Sequence, residues 1–133
     1  MRDLDAAQAR WGWLLSRLGY VPRDRWQHGV CWALGATYLV IEGGPDVRSE
    51  PHQRCRPGVN HLAFHAGSRA EVDALVAEAP RHGWRLLFAD RHPYAGGPQH
   101  YAAYLEDAAG FEVELVAAAD DPAAPPDGGA EGG

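Results

Sequence analysis

Three side chains with metal-binding chemistry occupy strand-like positions in this 133-residue sequence: His61, Glu114 and Glu42. Side chains alternate between the two faces of a strand, so the imidazole of His61 takes the face opposite Leu62. By the same alternation Glu114 lies opposite Val113, and Glu42 lies on the face opposite Leu39 and Ile41. One imidazole and two carboxylates that converge on a single sheet face would suit a hard or borderline divalent cation.

Two further side chains could transfer protons. Tyr94 lies within the segment 91–99, whose sequence RHPYAGGPQ predicts a loop, and His100 follows it directly. A neutral imidazole titrates near physiological pH, so His100, together with Tyr94, is a candidate general acid or base. A turn with exposed histidines is an equally good interpretation. Glu112 shares a face with Glu114 and is an alternative ligand.

Each proposed ligand also has a simpler structural interpretation. His61 could be a core histidine bonded to the backbone, Glu114 an outward-facing carboxylate, and Glu42 a solvent-exposed residue before a glycine pair. His65 shares the face of His61 but lies roughly 13 Å along the strand, too far to bind the same ion. The neighbouring elements must decide between these interpretations.

The elements that position these residues repeat twice along the chain. Each copy contains an amphipathic helix, predicted from capping-box sequences at Asp5 and Ser68 and from apolar residues on one helical face. A glycine and an aromatic residue follow each helix, and strand-like runs follow these. The predicted strands are 20–26, 30–34 and 37–42 in the first copy, and 61–66, 84–88, 100–105 and 111–116 in the second.

The second copy has a strand ahead of its helix, and the first copy should have one too. Gly83 minus Gly19 is 64 and Ser68 minus Asp5 is 63, so the counterpart of His61 would fall at position −3 or −2. Either the natural start lies further upstream, which we favour, or a partner chain completes the sheet. We therefore expect a first module without its opening strand.

Composition is that of an ordinary soluble globular protein, with 46% hydrophobic and 23% charged residues. We expect one domain over 1–116, comprising module one at 1–42, a linker at 43–59 and module two at 60–116. The remainder, 117–133, lacks large apolar residues and is predicted to be a disordered tail.

Charge and cysteine content restrict partners and location. A net charge of −6 without a basic stripe argues against nucleic-acid binding. No apolar run approaches the ~18 residues of a membrane span, and the N-terminus does not resemble a signal peptide. Cys31 and Cys55 form neither a disulfide framework nor a CxxC motif. The expected location is the cytoplasm.

The motifs of the second copy resemble a known family. The segment from Arg56 to Val116, with PGVNHLAF, DRHPYAGGP and YLEDAAGFEVELV, is similar to the second module of the vicinal oxygen chelate superfamily. That superfamily includes glyoxalase I, fosfomycin-resistance thiol transferases, extradiol dioxygenases, methylmalonyl-CoA epimerase and bleomycin-binding proteins. The first module is similar in element order but weaker in motif. The resemblance implies an α+β fold of two βαβββ modules, whose strands form a cupped mixed sheet around one ligand cavity.

The resemblance also implies a ligand set. In metal-using members the ligands come from the first and last strand of each module. Carried over, His61 and Glu114 form the second pair, and Glu42 is the last-strand ligand of the first module. The fourth position would fall in the missing strand. The implied cofactor is a divalent metal (Zn, Ni, Mn or Fe), and chains of this kind often pair, which predicts a homodimer.

The expected function is that of a metal-dependent, glyoxalase-type lyase or isomerase acting on a small oxygenated molecule. A bound metal would hold two substrate oxygens and stabilise an enolate or alkoxide. One alternative is a metal-free protein that sequesters a drug, as bleomycin-resistance proteins do. The other is an extradiol-type dioxygenase, which would use two histidines and one carboxylate, whereas this chain has one aligned histidine. Fold alone does not choose among these functions.

Overall fold

The computed structural model describes residues 3–48 and 50–119, which form an α+β fold with two helices and two sheets. Helix α1 spans Leu4–Arg17, and α2 spans Arg69–Glu78 and continues into a short 3₁₀ helix, Ala79–His82. The strands are β1 Val21–Trp26, β2 Gly29–Leu34, β3 Thr37–Glu42, β4 His61–His65, β5 Trp84–Leu87, β6 Ala102–Asp107 and β7 Glu112–Val116. The predicted α+β fold and element order are confirmed. Of the predicted tail, residues 120–133 lie outside the described residues.

The strands form a separate sheet in each module. The first module contributes an antiparallel sheet in the order β1-β2-β3. The second has the order β4-β7-β6-β5, with β4 parallel to β7 and the other neighbours antiparallel. The second module therefore has the expected βαβββ arrangement, and the described part of the first has one helix and three strands. The described residues of the linker contain no helix or strand.

Local hydrogen bonds set the start of each helix. Helix α1 begins earlier than the capping-box sequence at Asp5 predicts, because Asp3 is the N-cap and accepts from the Ala6 amide at 3.0 Å. Asp5 instead lies in the first turn, where a negative charge suits the helix dipole. Ser68 forms the predicted capping box: its hydroxyl accepts from the Glu71 amide at 3.1 Å, and the Glu71 carboxylate accepts from the Ser68 amide at 2.8 Å.

Both modules contribute to one hydrophobic core. Trp11 of α1 packs edge-on against Trp84 and Phe111 of the second module, with ring centroids 5.0 and 6.3 Å apart. The Trp84 indole donates to the carbonyl of Arg10 at 3.2 Å. Edge-to-face aromatic pairs add roughly 0.5–1.5 kcal/mol each beyond the burial of their surface. Helix α1 therefore holds the first module against the second.

The four-stranded sheet has an apolar face and a polar face. Val113 and Leu115 of β7 and Leu105 of β6 are fully buried in the core. Glu112 and Glu114 alternate with these residues along β7 and therefore lie on the opposite face. Glu114 thus lies opposite Val113, as the sequence predicts. No helix in the described part of the chain is long and apolar enough to cross a membrane.

Candidate functional site

Glu114, in the middle of β7, is the centre of a cluster of polar side chains. Its Oε1 lies 3.1 Å from Nε2 of His61, and its Oε2 contacts Nε2 of His100. The hydroxyl of Tyr104 donates to the same carboxylate. The Glu114 side chain is 11% exposed, against 32% for His61 and 38% for His100. The carboxylate is thus the most buried group of the three, and the two imidazoles lie closer to solvent.

Strand pairing brings these side chains together. Tyr104 lies directly opposite Glu114 in the antiparallel pair β6–β7. On the other side, β4 runs parallel to β7, with Ala63 opposite Glu114 and His61 opposite Glu112. Paired residues project from the same face of a sheet. The small side chain of Ala63 leaves room over Glu114 for the longer imidazole of His61.

Asn60 orients the His61 ring. Its Nδ2 donates to the Arg54 carbonyl at 3.1 Å, which turns Oδ1 toward Nδ1 of His61, 2.7 Å away. An amide oxygen only accepts, so Nδ1 carries the hydrogen and Nε2 of the neutral ring presents its lone pair. That lone pair faces Oε1 of Glu114 at 3.1 Å. The contact is favourable only with a proton on Nε2 or with a cation held by both atoms.

Glu114 remains a carboxylate in this environment. Burial raises its pKa, but the contacts with the two imidazoles, a hydrogen bond from Tyr104 and the charge of His100 outweigh burial and hold the pKa below its ordinary value. Burial and the neighbouring charge of Glu114 raise the pKa of Tyr104, so its hydroxyl keeps the proton that it donates. The cluster therefore maintains a partly buried negative charge that faces two imidazoles.

Glu42 does not join this cluster within the described residues. It is exposed at the end of β3, opposite Gly29 in the three-stranded sheet. In 3–48 and 50–119, no three His, Cys, Asp or Glu side chains are arranged to hold a metal ion, so the expected set of His61, Glu114 and Glu42 is not assembled there. The physical reason is that Glu42 lies on the sheet of the other module.

The two predicted acid–base residues have different surroundings. His100 contacts Glu114 directly. The ring of Tyr94 instead packs edge-on against Tyr101, with centroids 5.7 Å apart, and the Tyr101 hydroxyl donates to Asp73 of α2 at 2.6 Å. Tyr94 therefore packs beside residues that face helix α2, and its ring contact does not link it to the carboxylate cluster.

A cavity of about 330 Å³ opens beside the cluster. The residues that line it are Arg54, Asn60, His61, Phe88, Arg91, Ala95, Tyr104 and Glu112. Its volume is at the lower end of the roughly 300–1,000 Å³ typical of ligand sites. A larger cavity of about 640 Å³ lies near the start of α1, but none of the residues around Glu114 lines it. The smaller cavity is therefore the candidate ligand site, because His61 and Tyr104 of the Glu114 cluster line it.

Gly96, in the loop 91–99, lies against the cluster and permits a test of it. A Cβ atom at this position would come within 2.6 Å of the Tyr104 hydroxyl and 2.8 Å of Cδ2 of His100. We expect Gly96→Ala to displace both groups and to weaken their hydrogen bonds to Glu114 by about 1–2 kcal/mol. Nuclear magnetic resonance (NMR) spectra of the histidine rings should show altered His100 signals and unaltered His65 signals. Unchanged His100 signals would contradict the close approach.

The sequence matches a family model over residues 1–104, described as the glyoxalase/bleomycin resistance protein/dioxygenase superfamily. The chain belongs to this superfamily. The resemblance inferred from the sequence is thereby confirmed. The matched segment includes His61 and His100 and ends before Glu114.

Individual relatives are similar over most of the chain. Uncharacterized protein YqjT of Bacillus subtilis (strain 168) is 46% identical over 116 residues, which are 86% of this chain and 91% of that protein. The structure of a candidate glyoxalase from Bacillus halodurans is 43% identical, with a TM-score of 0.83 over 89% of this chain and 90% of that one. Lactoylglutathione lyase from Agrobacterium tumefaciens is 23% identical, with a TM-score of 0.56 over 86% and 85% of the two chains, and so shares the fold.

Sequence reasoning missed three contacts of the Glu114 cluster. It gave His100 an acid–base role next to the loop 91–99 but did not predict its contact with Glu114. It did not predict the contact of Tyr104, whose hydroxyl bonds to that carboxylate. It assigned no role to Asn60, which orients His61. The position of Asn60 next to His61 was a usable signal, whereas the His100 contact depends on the path of the loop.

Proposed function

We propose that this chain is a metal-dependent enzyme of glyoxalase type, a lyase or isomerase that acts on a small oxygenated molecule. The observation that carries the proposal is the approach of His61 Nε2 to Oε1 of Glu114 at 3.1 Å, with Nδ1 of the same ring held by Asn60. Two donors that each lie ~2.0–2.2 Å from one ion are separated by about this distance. Imidazole nitrogen with carboxylate oxygen also suits Zn, Ni, Mn or Fe. The donor chemistry therefore fits a divalent metal.

The remaining residues have supporting roles in this proposal. His61 and Glu114 would hold the ion, which when bound polarises a substrate oxygen as a Lewis acid. Asn60 keeps Nε2 of His61 free of hydrogen by accepting from Nδ1. Tyr104 donates to Glu114 and limits its motion. His100, which is partly exposed at the rim, is placed to move a proton to or from a bound substrate.

A metal held by only His61 and Glu114 has open coordination positions. We propose that the chain forms a homodimer, in which the second copy supplies a further ligand. Glu42 is exposed at the end of β3, where the carboxylate of one copy could approach the His61–Glu114 pair of a second. Cytoplasmic action is part of the same proposal, since both cysteines are free, Cys31 buried and Cys55 exposed. The homodimer is tested by whether Glu42→Gln lowers metal content and whether metal promotes pairing of the parent chain.

Specific observations favour the two alternatives. Both oxygens of Glu114 already contact imidazoles, so the cluster could satisfy itself in a metal-free protein that only binds a drug. The second alternative is favoured by His100, which places a second imidazole next to the carboxylate. His61, His100 and Glu114 together have the same donor types as the two-histidine, one-carboxylate set of non-haem iron oxygenases. This removes the objection that only one histidine is near the site, and it favours an extradiol-type dioxygenase as the second enzyme candidate.

His61→Ala provides the test of metal dependence. Untagged His61→Ala protein should lose at least about 90% of the bound metal of the parent, since a tenfold to hundredfold loss follows even from disturbing residues behind a ligand. His65→Ala is the matched control, because His65 is an exposed histidine on the same strand and face. Its metal content, measured by mass spectrometry, should equal that of the parent. Absence of metal from both parent and variant, with drug binding unchanged, would support the sequestering alternative.

A further inference from the structure

The cavity beside Glu114 is lined by an exposed arginine, Arg91. Arg91 is exposed at the start of the loop 91–99, and its guanidinium lies over the Phe88 ring, 5.0 Å from the centroid. Within the described residues, no carboxylate forms an ion pair with Arg91. A cation held against an aromatic face keeps its five donors available to a ligand in the cavity.

The second arginine of the cavity differs from Arg91 in this respect. Arg54 lies 3.4 Å from a carboxylate oxygen of Glu106 and 3.3 Å from one of Glu112, whose side chain is only 3% exposed. Two carboxylates therefore compensate the charge of Arg54 inside the protein. The uncompensated positive charge of the cavity wall is that of Arg91.

The backbone at Phe88 holds this wall in place. Phe88 has a φ of 55°, in the left-handed region that non-glycine residues rarely adopt. Its carbonyl accepts from the amides of Arg91 and His92, both at 2.9 Å, and its ring packs edge-on against Tyr104 at 5.6 Å. Backbone strain of this kind is retained mainly at functional sites. The turn presents the Phe88 ring and the Arg91 guanidinium to the cavity together.

We infer that the substrate is a small organic carboxylate, whose carboxylate group binds Arg91 while its reacting oxygens face His61. This assignment rests on the proposed function for the identity of the reacting end, but the anion site itself does not. A guanidinium binds a carboxylate through two parallel hydrogen bonds, which fixes the orientation of the ligand as well as its charge. Because Arg91 and His61 line the same cavity of about 330 Å³, one small molecule can contact both.

Binding of pyruvate and of its neutral isostere pyruvamide tests this inference without any turnover. NMR titration of the parent protein should give saturable binding of pyruvate. Pyruvamide should bind with an affinity at least about tenfold lower, because charge-assisted hydrogen bonds are roughly twice as strong as neutral ones. Arg91→Gln should weaken pyruvate binding by about tenfold or more and leave pyruvamide unchanged. Arg91→Lys keeps the charge but not the paired donors, so its affinity for pyruvate should lie between those of the parent and of Arg91→Gln.

Arg81→Gln is the matched control, because Arg81 is exposed in the short 3₁₀ helix and does not line the cavity. It should bind pyruvate as the parent does. The inference is overturned if the parent does not bind pyruvate, if it binds both probes equally, or if Arg91→Gln and Arg81→Gln behave alike. Loss of metal dependence with a persistent Arg91 effect would refute the proposed function alone, and a metal-dependent protein without an Arg91 effect would refute this inference alone.

Discussion

Glu114→Gln should weaken metal binding by about a hundredfold or more, because it removes the charged ligand on which the other groups of the cluster converge. Glutamine keeps the size of the side chain, so the fold should persist. The variant also exchanges an acceptor for an amide donor beside His61 and His100, which should lower the free energy of unfolding by about 1–3 kcal/mol. Competition with a chromogenic chelator measures the metal affinity, and urea denaturation measures the stability.

Glu112→Gln is the comparison that gives this result its meaning. Glu112 lies on the same strand and face as Glu114 and is also buried, with its Oε1 3.3 Å from Nη1 of Arg54. We expect Glu112→Gln to keep its metal while losing some stability, since Arg54 would lose a charged partner. If metal is lost from Glu112→Gln and retained by Glu114→Gln, the ligand assignment is wrong.

Asp107→Ala should destabilise the protein by about 3–5 kcal/mol, because it leaves a partly buried cation without a partner. The Asp107 side chain is fully buried, and it accepts from Arg10 at 3.2 Å and from the Trp11 indole at 3.1 Å. It also accepts from the amides of Ala109 and Phe111 at 3.0 and 2.9 Å, which shape the turn between β6 and β7. One carboxylate thus ties helix α1 to the second module. The loss is a large fraction of the roughly 5–15 kcal/mol that stabilises most domains.

The measurement for Asp107 is a urea denaturation curve, with Asp24→Ala as the control. Asp24 pairs with its neighbour Arg23 at 3.4 Å, but the Asp24 side chain is 67% exposed. A surface pair of this kind is worth about 0–1 kcal/mol, so the midpoint for Asp24→Ala should barely move. Equal midpoints for the two variants would mean that α1 is not held by Asp107. A changed slope, rather than a changed midpoint, would indicate a loss of cooperativity between the modules.

Local sequence patterns, between residues a few positions apart, predicted most of the fold. Ser68 and Glu71 are three residues apart, and their reciprocal hydrogen bonds form as the sequence predicts. The start of α1 was misplaced at Asp5 because Asp3 is also a capping residue and competes for the same turn. The strand boundaries agree within about two residues, since alternation and turn residues act on immediate neighbours. The same alternation correctly placed Glu114 opposite the core.

Contacts between distant residues decided the composition of the site. His100 approaches Glu114 from the end of the loop 91–99, and Gly96 permits the close packing of this loop against His100 and Tyr104 through its lack of a side chain. Glu42 has the residue type and strand position of a ligand, yet it ends a strand of the other sheet. Neither outcome follows from spacing, because spacing determines the face of a residue and not which strands become neighbours.

The sequence by itself determined the order of elements, the polar face of β7 and the family, because these depend on residue type and local period. The tertiary structure decided that His61 and His100 meet on one carboxylate, and that Arg10 and Asp107, 97 residues apart, join the modules. The cost of closing a long loop depends only weakly on its length, so many distant pairings cost nearly the same. Packing of the whole core then determines which of these distant pairs form, and local sequence patterns contain no information about it.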